Sequence, residues 1–215
     1  MNGAVVHYLD YSFNNKYLAV STDQGNITIF DVKKKTQVVK IPEENCKAAY
    51  TCVKWRKKMT RDKTNNILIG TRSDGIIDGF HLNTKKRIFS IDEKIDGDVQ
   101  INNFDYNPYY NSIAVVGAYP SVRLYDLETQ KRKVNLDGKG CLIPGHTNRV
   151  FAVKILNDNN TVITSGWDQR IIWWDLRSEQ PIESLFGSQI YGDSLDVCDG
   201  LLLSCNHREN AQIQL

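Results

Sequence analysis

The chain has 215 residues, of which 41% are hydrophobic and 24% charged. That suits one sizeable core or two small domains and excludes a wholly disordered chain. The 27 Lys and Arg stand against 25 Asp and Glu, too even a balance for a general nucleic-acid-binding composition. Short β-branched and aromatic runs alternate with turn signals from end to end, which predicts an all-β chain. Strands are expected near 4–12, 17–22, 27–31 and 37–41, then near 49–55, 66–72, 76–82 and 87–91. They continue near 101–107, 112–117, 121–127 and 132–136, and near 150–156, 161–165, 170–175 and 181–185. The last three are expected near 194–198, 201–205 and 211–215. No long segment carries an apolar period of 3.6, so helices are expected to be rare. No apolar run reaches the roughly 18 residues of a membrane span. The start, MNGAVVHYLDYSF, has no basic segment leading into an apolar one and reads as no secretory signal. Cys46, Cys52, Cys141, Cys198 and Cys205 form no CxxC pair, and reduced, mostly buried thiols are expected.

The strands repeat in groups. NITIFDV (26–32), IIDGFHL (76–82), SVRLYDL (121–127) and RIIWWDL (170–176) each end in an aromatic, a polar residue and an aliphatic one. The aromatics Phe30, Phe80, Tyr125 and Trp174 lie 50, 45 and 49 residues apart. A fifth copy begins at Gln212 and reaches Leu215. A period near 40–45 with four strands per unit is the signature of a β-propeller blade, and the longer spacings imply loop insertions.

Gly145-His146, Thr164-Ser165-Gly166-Trp167-Asp168 and Trp174-Asp175 resemble the WD-repeat β-propeller family. The likeness covers essentially the whole chain. It implies an all-β propeller of four-stranded antiparallel blades, about five of them visible, expected to be part of a six- or seven-bladed ring. One propeller region over 1–215 is expected, with blades at about 1–42, 46–92, 99–137, 145–187 and 190–215, the last incomplete. The open edge at Leu215 is expected to be completed by missing sequence or by a partner, because exposed strand edges are a liability.

In that family the Gly-His histidine, a second-strand Ser or Thr, the turn aspartate and the third-strand Trp form a hydrogen-bonded tetrad. The resemblance assigns it here to His146, Thr164, Asp168 and Trp174. The set mimics a Ser-His-Asp triad in composition, but triads are recognised by geometry, and a structural role is expected. Asp74 keeps the turn acid in the second unit, whereas Gln24, Tyr119 and Asn210 stand there in units one, three and five. No other unit has Gly-His, so His7, His81 and His207 fall outside a tetrad. Those units are expected to rely on packing of Phe30, Phe80 and Tyr125.

The family topology puts the first–second and third–fourth strand loops of each blade on one face. That face would carry Lys33, Lys34, Lys35, Arg56, Lys57, Lys58, Arg61, Lys63, Lys85, Lys86, Arg87, Lys131, Arg132 and Lys133 against only Asp62 and Glu128. The inter-blade segments hold Glu43, Glu44, Asp92, Glu93, Asp96, Asp98 and Asp137 against Lys47, Lys94 and Lys139. Two faces of opposite sign are therefore expected.

The function expected from this reading is a non-catalytic protein–protein interaction scaffold of a multiprotein complex, without cofactor or metal, in the cytoplasm, with a cytoskeletal or ciliary assembly as one setting. Two alternatives stand beside it. Trp174-Asp175-Leu176-Arg177 resembles the box with which substrate receptors of cullin-type ubiquitin ligases dock their adaptor, with Arg177 as the docking residue. The basic face could instead bind tubulin tails, RNA or acidic lipid. A propeller enzyme with a channel metal would draw on His7, Asp10, Asp105 and Asp196, which form no repeated ligand pattern. No HExxH, GxxxxGK[ST], GxGxxG or GxSxG motif occurs.

Overall fold

The computed structural model describes residues 3–42, 47–56, 66–93, 99–107, 109–187, 189–207 and 213–214. Among them the regular structure is entirely β. The first compact unit, Met1–Ile101, holds two antiparallel sheets. One runs β1 (Val6–Tyr11), β2 (Tyr17–Thr22), β3 (Ile27–Asp31), β4 (Thr36–Ile41). The other runs β5 (Tyr50–Trp55), β6 (Ile67–Arg72), β7 (Ile76–His81), β8 (Lys86–Asp92).

The second unit is Asn102–Leu215. Its first sheet is β9 (Ile101–Asn107), which starts on the boundary, β10 (Ser112–Gly117), β11 (Val122–Asp126) and β12 (Lys131–Leu136). Its second is β13 (Val150–Ile155), β14 (Thr161–Gly166), β15 (Arg170–Asp175) and β16 (Gln180–Phe186). Its third is β17 (Leu195–Cys198), β18 (Leu201–Cys205) and β19 (Ile213–Gln214). Each expected strand is present, with ends displaced by at most two residues. In the last one, positions 211, 212 and 215 lie outside the described residues.

Turn chemistry sets this regularity. The turn into the second strand carries Asn15, Asn66, Asn111 or Asn159 at positive φ, a conformation asparagine tolerates. The turn into the fourth strand carries Lys35, Lys85, Gln130 or Glu179 there, with φ between 54° and 58°. The polar residue ending the third strand caps that turn. Asp31 Oδ1 accepts the Lys34 N–H at 2.9 Å, and Asp126 Oδ1 accepts those of Glu128 and Thr129, both at 2.8 Å. Asp175 Oδ1 accepts the Arg177 N–H at 3.1 Å, and His81 Nδ1 accepts that of Thr84 at 3.4 Å. Lys133 holds the Asp126 carboxyl down to about 2, helped by these backbone donors.

The outer strands share one irregularity. Val38, Ile88, Lys133 and Ile182 are each skipped in the pairing of third and fourth strands. A bulge turns the extra residue out and bends the edge away from further pairing. This explains why Val38, Ile88 and Ile182 are apolar yet exposed.

Cores form between neighbouring sheets within each unit. In the first, Ala19, Ile27, Ile29, Val39 and Ile41 pack with Tyr50, Val53, Leu68 and Phe80. In the second, Ala114, Val122, Leu124 and Leu136 pack with Val150, Val153, Val162, Ile172 and Trp174. Phe80 and Tyr125 are buried as expected. Phe30 is only half-buried: with Thr28 it faces away from the Ile27 and Ile29 side of β3, the side that carries the core shared with the second sheet.

Candidate functional site

The β13–β16 sheet draws four distant residues into one buried chain. Thr164 and Trp174 come from adjacent strands, Asp168 from the β14–β15 turn and His146 from the segment before β13. His146 Nδ1 lies 2.8 Å from Asp168 Oδ2, and His146 Nε2 lies 2.8 Å from Thr164 Oγ1. Trp174 Nε1 lies 2.8 Å from the same hydroxyl. The proton order follows from the partners. A carboxylate only accepts, so Nδ1–H donates to Asp168. Nε2 then accepts the Thr164 O–H, and the hydroxyl oxygen accepts the indole N–H. The side chains of His146 and Asp168 are 0% and 3% exposed, and Thr164 and Trp174 are fully buried. A nucleophile here would meet no substrate.

Asp168 also ties down backbone. Its Oδ2 accepts the Thr147 N–H at 3.0 Å and its Oδ1 that of Arg170 at 3.3 Å. Burial pushes its pKa up, but the bonds from His146, Thr147 and Arg170 outweigh burial and leave it below the ordinary aspartate value. A carboxyl depressed in the folded state stabilises fully above its unfolded pKa, near 4, and loses that contribution as pH falls through its folded pKa. The stability gap between the wild type and Asp168→Asn should therefore shrink as pH drops below about 4. A gap that stays constant in acid urea titrations would contradict the assignment.

Register shows why the second sheet has no such tetrad. Phe80 pairs with Leu68 as Trp174 pairs with Val162, so Gly70 takes the place of Thr164 and Asp78 that of Ile172. Any Cβ at Gly70 would come within 2.9 Å of the Tyr50 ring. The space lets Tyr50 O–H donate to Asp78 Oδ2 at 2.8 Å. Arg72 Nη1 sits 3.5 Å from Asp78 and its Nε donates to Asp74 at 3.0 Å, while Arg87 approaches Asp78 at 3.4 Å. Asp74, the turn acid expected from the repeat, thus serves an arginine.

Two of the residues that a metal enzyme would have drawn on are engaged with backbone. Asp10 Oδ2 accepts the Trp55 N–H at 2.8 Å, and its carbonyl accepts the Trp55 indole N–H at 3.1 Å. Asp105 Oδ2 accepts the Ile155 N–H at 2.9 Å. Each clips one sheet's first strand to the next sheet's, within its own unit. Asp196 lies 3.6 Å from Lys154 Nζ and is 74% exposed, and His7 sits at a register shift in β1. Among the described residues no three metal-ligating side chains cluster.

The basic set divides three ways. Lys57, Lys58, Arg61 and Lys63 lie outside the described residues, as do Glu43, Glu44, Lys94, Asp96 and Asp98 of the opposite set. Arg87 and Lys133 pair with Asp78 and Asp126, and Arg56 is half-buried. Lys33, Lys34, Lys35, Lys85, Lys86, Lys131 and Arg132 are exposed on the turns into the fourth strands. Glu93 does not belong to an acidic surface: it is 4% exposed. The Arg177 guanidinium is 75% exposed and lies 3.3 Å from Asp175. It stands with Lys133 on a groove of about 200 Å³ whose apolar lining is Leu124, Tyr125, Val134 and Leu176.

The groove was not legible in sequence, because its lining comes from five separate segments. A cluster of rings was also missed. Trp167 lies 5.5 Å from Phe151 and 5.0 Å from Tyr191, which lies 4.3 Å from His207, and Arg149 covers Trp167 at 4.5 Å. The Gly166-Trp167-Asp168 turn was its single sequence signal.

Two family models match the chain. One is described as the anaphase-promoting complex subunit 4 WD40 domain and matches residues 1–58; the other, the WD domain, G-beta repeat, matches residues 139–175. No curated protein sequence matches. A chain of the "Crystal Structure of Mitotic Checkpoint Complex" is similar in fold, with a TM-score of 0.79 at 16% identity. The match covers 99% of this chain, which spans 61% of that one. As 1604 solved chains match, such a likeness fixes the fold and leaves the partner open.

Proposed function

We propose that this chain, which belongs to the WD-repeat family, is a non-catalytic scaffold that holds protein partners within a multi-subunit assembly. The observation that carries the reading is the closed chain from Asp168 to Trp174. That constellation has a triad's composition, yet its buried polar atoms bond one another and adjacent backbone. The surface features that reach solvent include the turn chemistry, the groove beside Leu176 and the ring cluster around Trp167. The two relatives whose names mention an assembly, the anaphase-promoting complex and the mitotic checkpoint complex, support a role of the same kind.

The groove supplies a specific second reading. Arg177 projects from the end of the Trp174-Asp175-Leu176 run onto the rim, a placement that suits adaptor docking. The test is affinity capture from the source cell with the wild type, Leu176→Asp and Arg177→Ala. The scaffold reading expects a stoichiometric protein that Leu176→Asp releases well below its own melting temperature, which should fall somewhat because Leu176 packs against the core. Adaptor docking expects Arg177→Ala alone to release a ligase adaptor. Identical capture by all three would count against the groove in both readings.

A further inference from the structure

Apart from any protein partner, we propose that one end of the first unit docks on an anionic lipid surface. Strand direction places the residues. β1 and β3 run parallel within their antiparallel sheet, so the β1–β2 and β3–β4 turns leave it at the same end. Asp10, near the end of β1, bonds the backbone of Trp55, the last residue of β5. The second sheet therefore runs the same way, and its β7–β8 turn leaves at that end too.

Five lysines occupy these turns: Lys33, Lys34 and Lys35 on the first sheet, Lys85 and Lys86 on the second. All are exposed, and none has an ion-pair partner among the described residues. The described acids of this end are already engaged. Asp31 is 6% exposed and caps Lys34, and Asp10 holds Trp55. Asp23, Asp74 and Asp92 sit at the far end of strands five to seven residues long. That is roughly 20 Å away, beyond the Debye length of about 8 Å at physiological salt.

The same end carries apolar groups in water, Tyr11 at the end of β1 and Val32 after β3 among them. Phe13, in the β1–β2 turn, is 82% exposed. Phe13 and the half-exposed Tyr11 sit on one turn of one sheet, and among the described residues no exposed ring accompanies the lysines of the β3–β4 and β7–β8 turns, so the end lacks the row of stacking rings along a groove that single-stranded nucleic acid uses. Tips of two sheets present their charge at one level rather than along a cleft, which an extended peptide would need. A bilayer matches both features: headgroups meet the lysines, and the interface takes the ring.

The test is co-sedimentation of the full chain with vesicles of phosphatidylcholine mixed with phosphatidylserine. Binding is expected to these and not to pure phosphatidylcholine, and it should weaken as salt rises. Lys33→Ala/Lys34→Ala/Lys35→Ala should lower partitioning on the order of a hundredfold, and Phe13→Ala about tenfold. Both variants should melt like the wild type, since the side chains are exposed. No binding to the mixed vesicles, or equal binding by the variants, would overturn the proposal. So would release of the chain by trace single-stranded RNA or a glutamate-rich peptide, which would assign the lysines to that ligand.

Discussion

Asp78→Ala is expected to destabilise the first unit by about 3–5 kcal/mol, the loss typical of removing one partner from a buried ion pair. Arg72 is only 11% exposed in its side chain, and it approaches the fully buried Asp78 while also binding Asp74. Without Asp78 its charge keeps one exposed-side partner, and the Tyr50 hydroxyl loses the acceptor at 2.8 Å. At about 2–4 °C per kcal/mol for a chain of this size, thermal unfolding reads the change easily. Adding Arg72→Met should recover much of the loss, because removing both charges is far cheaper than stranding one. A change under about 1 kcal/mol for Asp78→Ala would mean the network contributes little.

Thr164→Val is expected to cost about 2–4 kcal/mol although it keeps the side chain's shape. The hydroxyl is shared: it donates to His146 Nε2 and accepts from Trp174 Nε1, both at 2.8 Å. Valine leaves a buried indole N–H and a buried ring nitrogen unpaired, at about 1–3 kcal/mol each, offset in part by the missing desolvation of the hydroxyl. Thr164→Ser keeps both bonds and should lose only about 1 kcal/mol for the methyl group. Urea unfolding followed by tryptophan fluorescence separates the two variants. Equal losses would make packing, not hydrogen bonding, the reason for threonine.

Periodic features were the legible ones. Phe80, Tyr125 and Trp174 recur at the blade period and are buried in register, so strands and turns could be placed from the sequence. The tetrad was reachable because Gly145-His146 and Trp174-Asp175 carry the family's spacing. Pairwise substitutions across strands were not legible. Gly70 and Asp78 look like unrelated departures, yet one makes room for the ring whose hydroxyl the other accepts. Asp10 and Asp105 looked like stray ligands because their acceptors' work is done on backbone N–H groups, which no side-chain pattern reveals. Phe30 failed for a similar reason. A period fixes where an aromatic lies along the strand, while burial depends on the neighbouring sheet that faces it.

The polar constellation around Asp168 holds the fold, while the exposed surface is proposed to hold partners. The most direct measurement compares melting temperature and partner recovery for Asp168→Ala and for Lys133→Glu/Arg177→Glu, side by side in one preparation. For the first, a melting temperature lowered by several degrees is expected, at about 2–4 °C per kcal/mol. For the second, a small loss is expected, since Lys133 and Arg177 are largely exposed but face Asp126 and Asp175, with the groove's partner lost. Unchanged melting in Asp168→Ala together with loss of the bound partner would contradict this division of roles, because the constellation would then act in recognition and not in the fold.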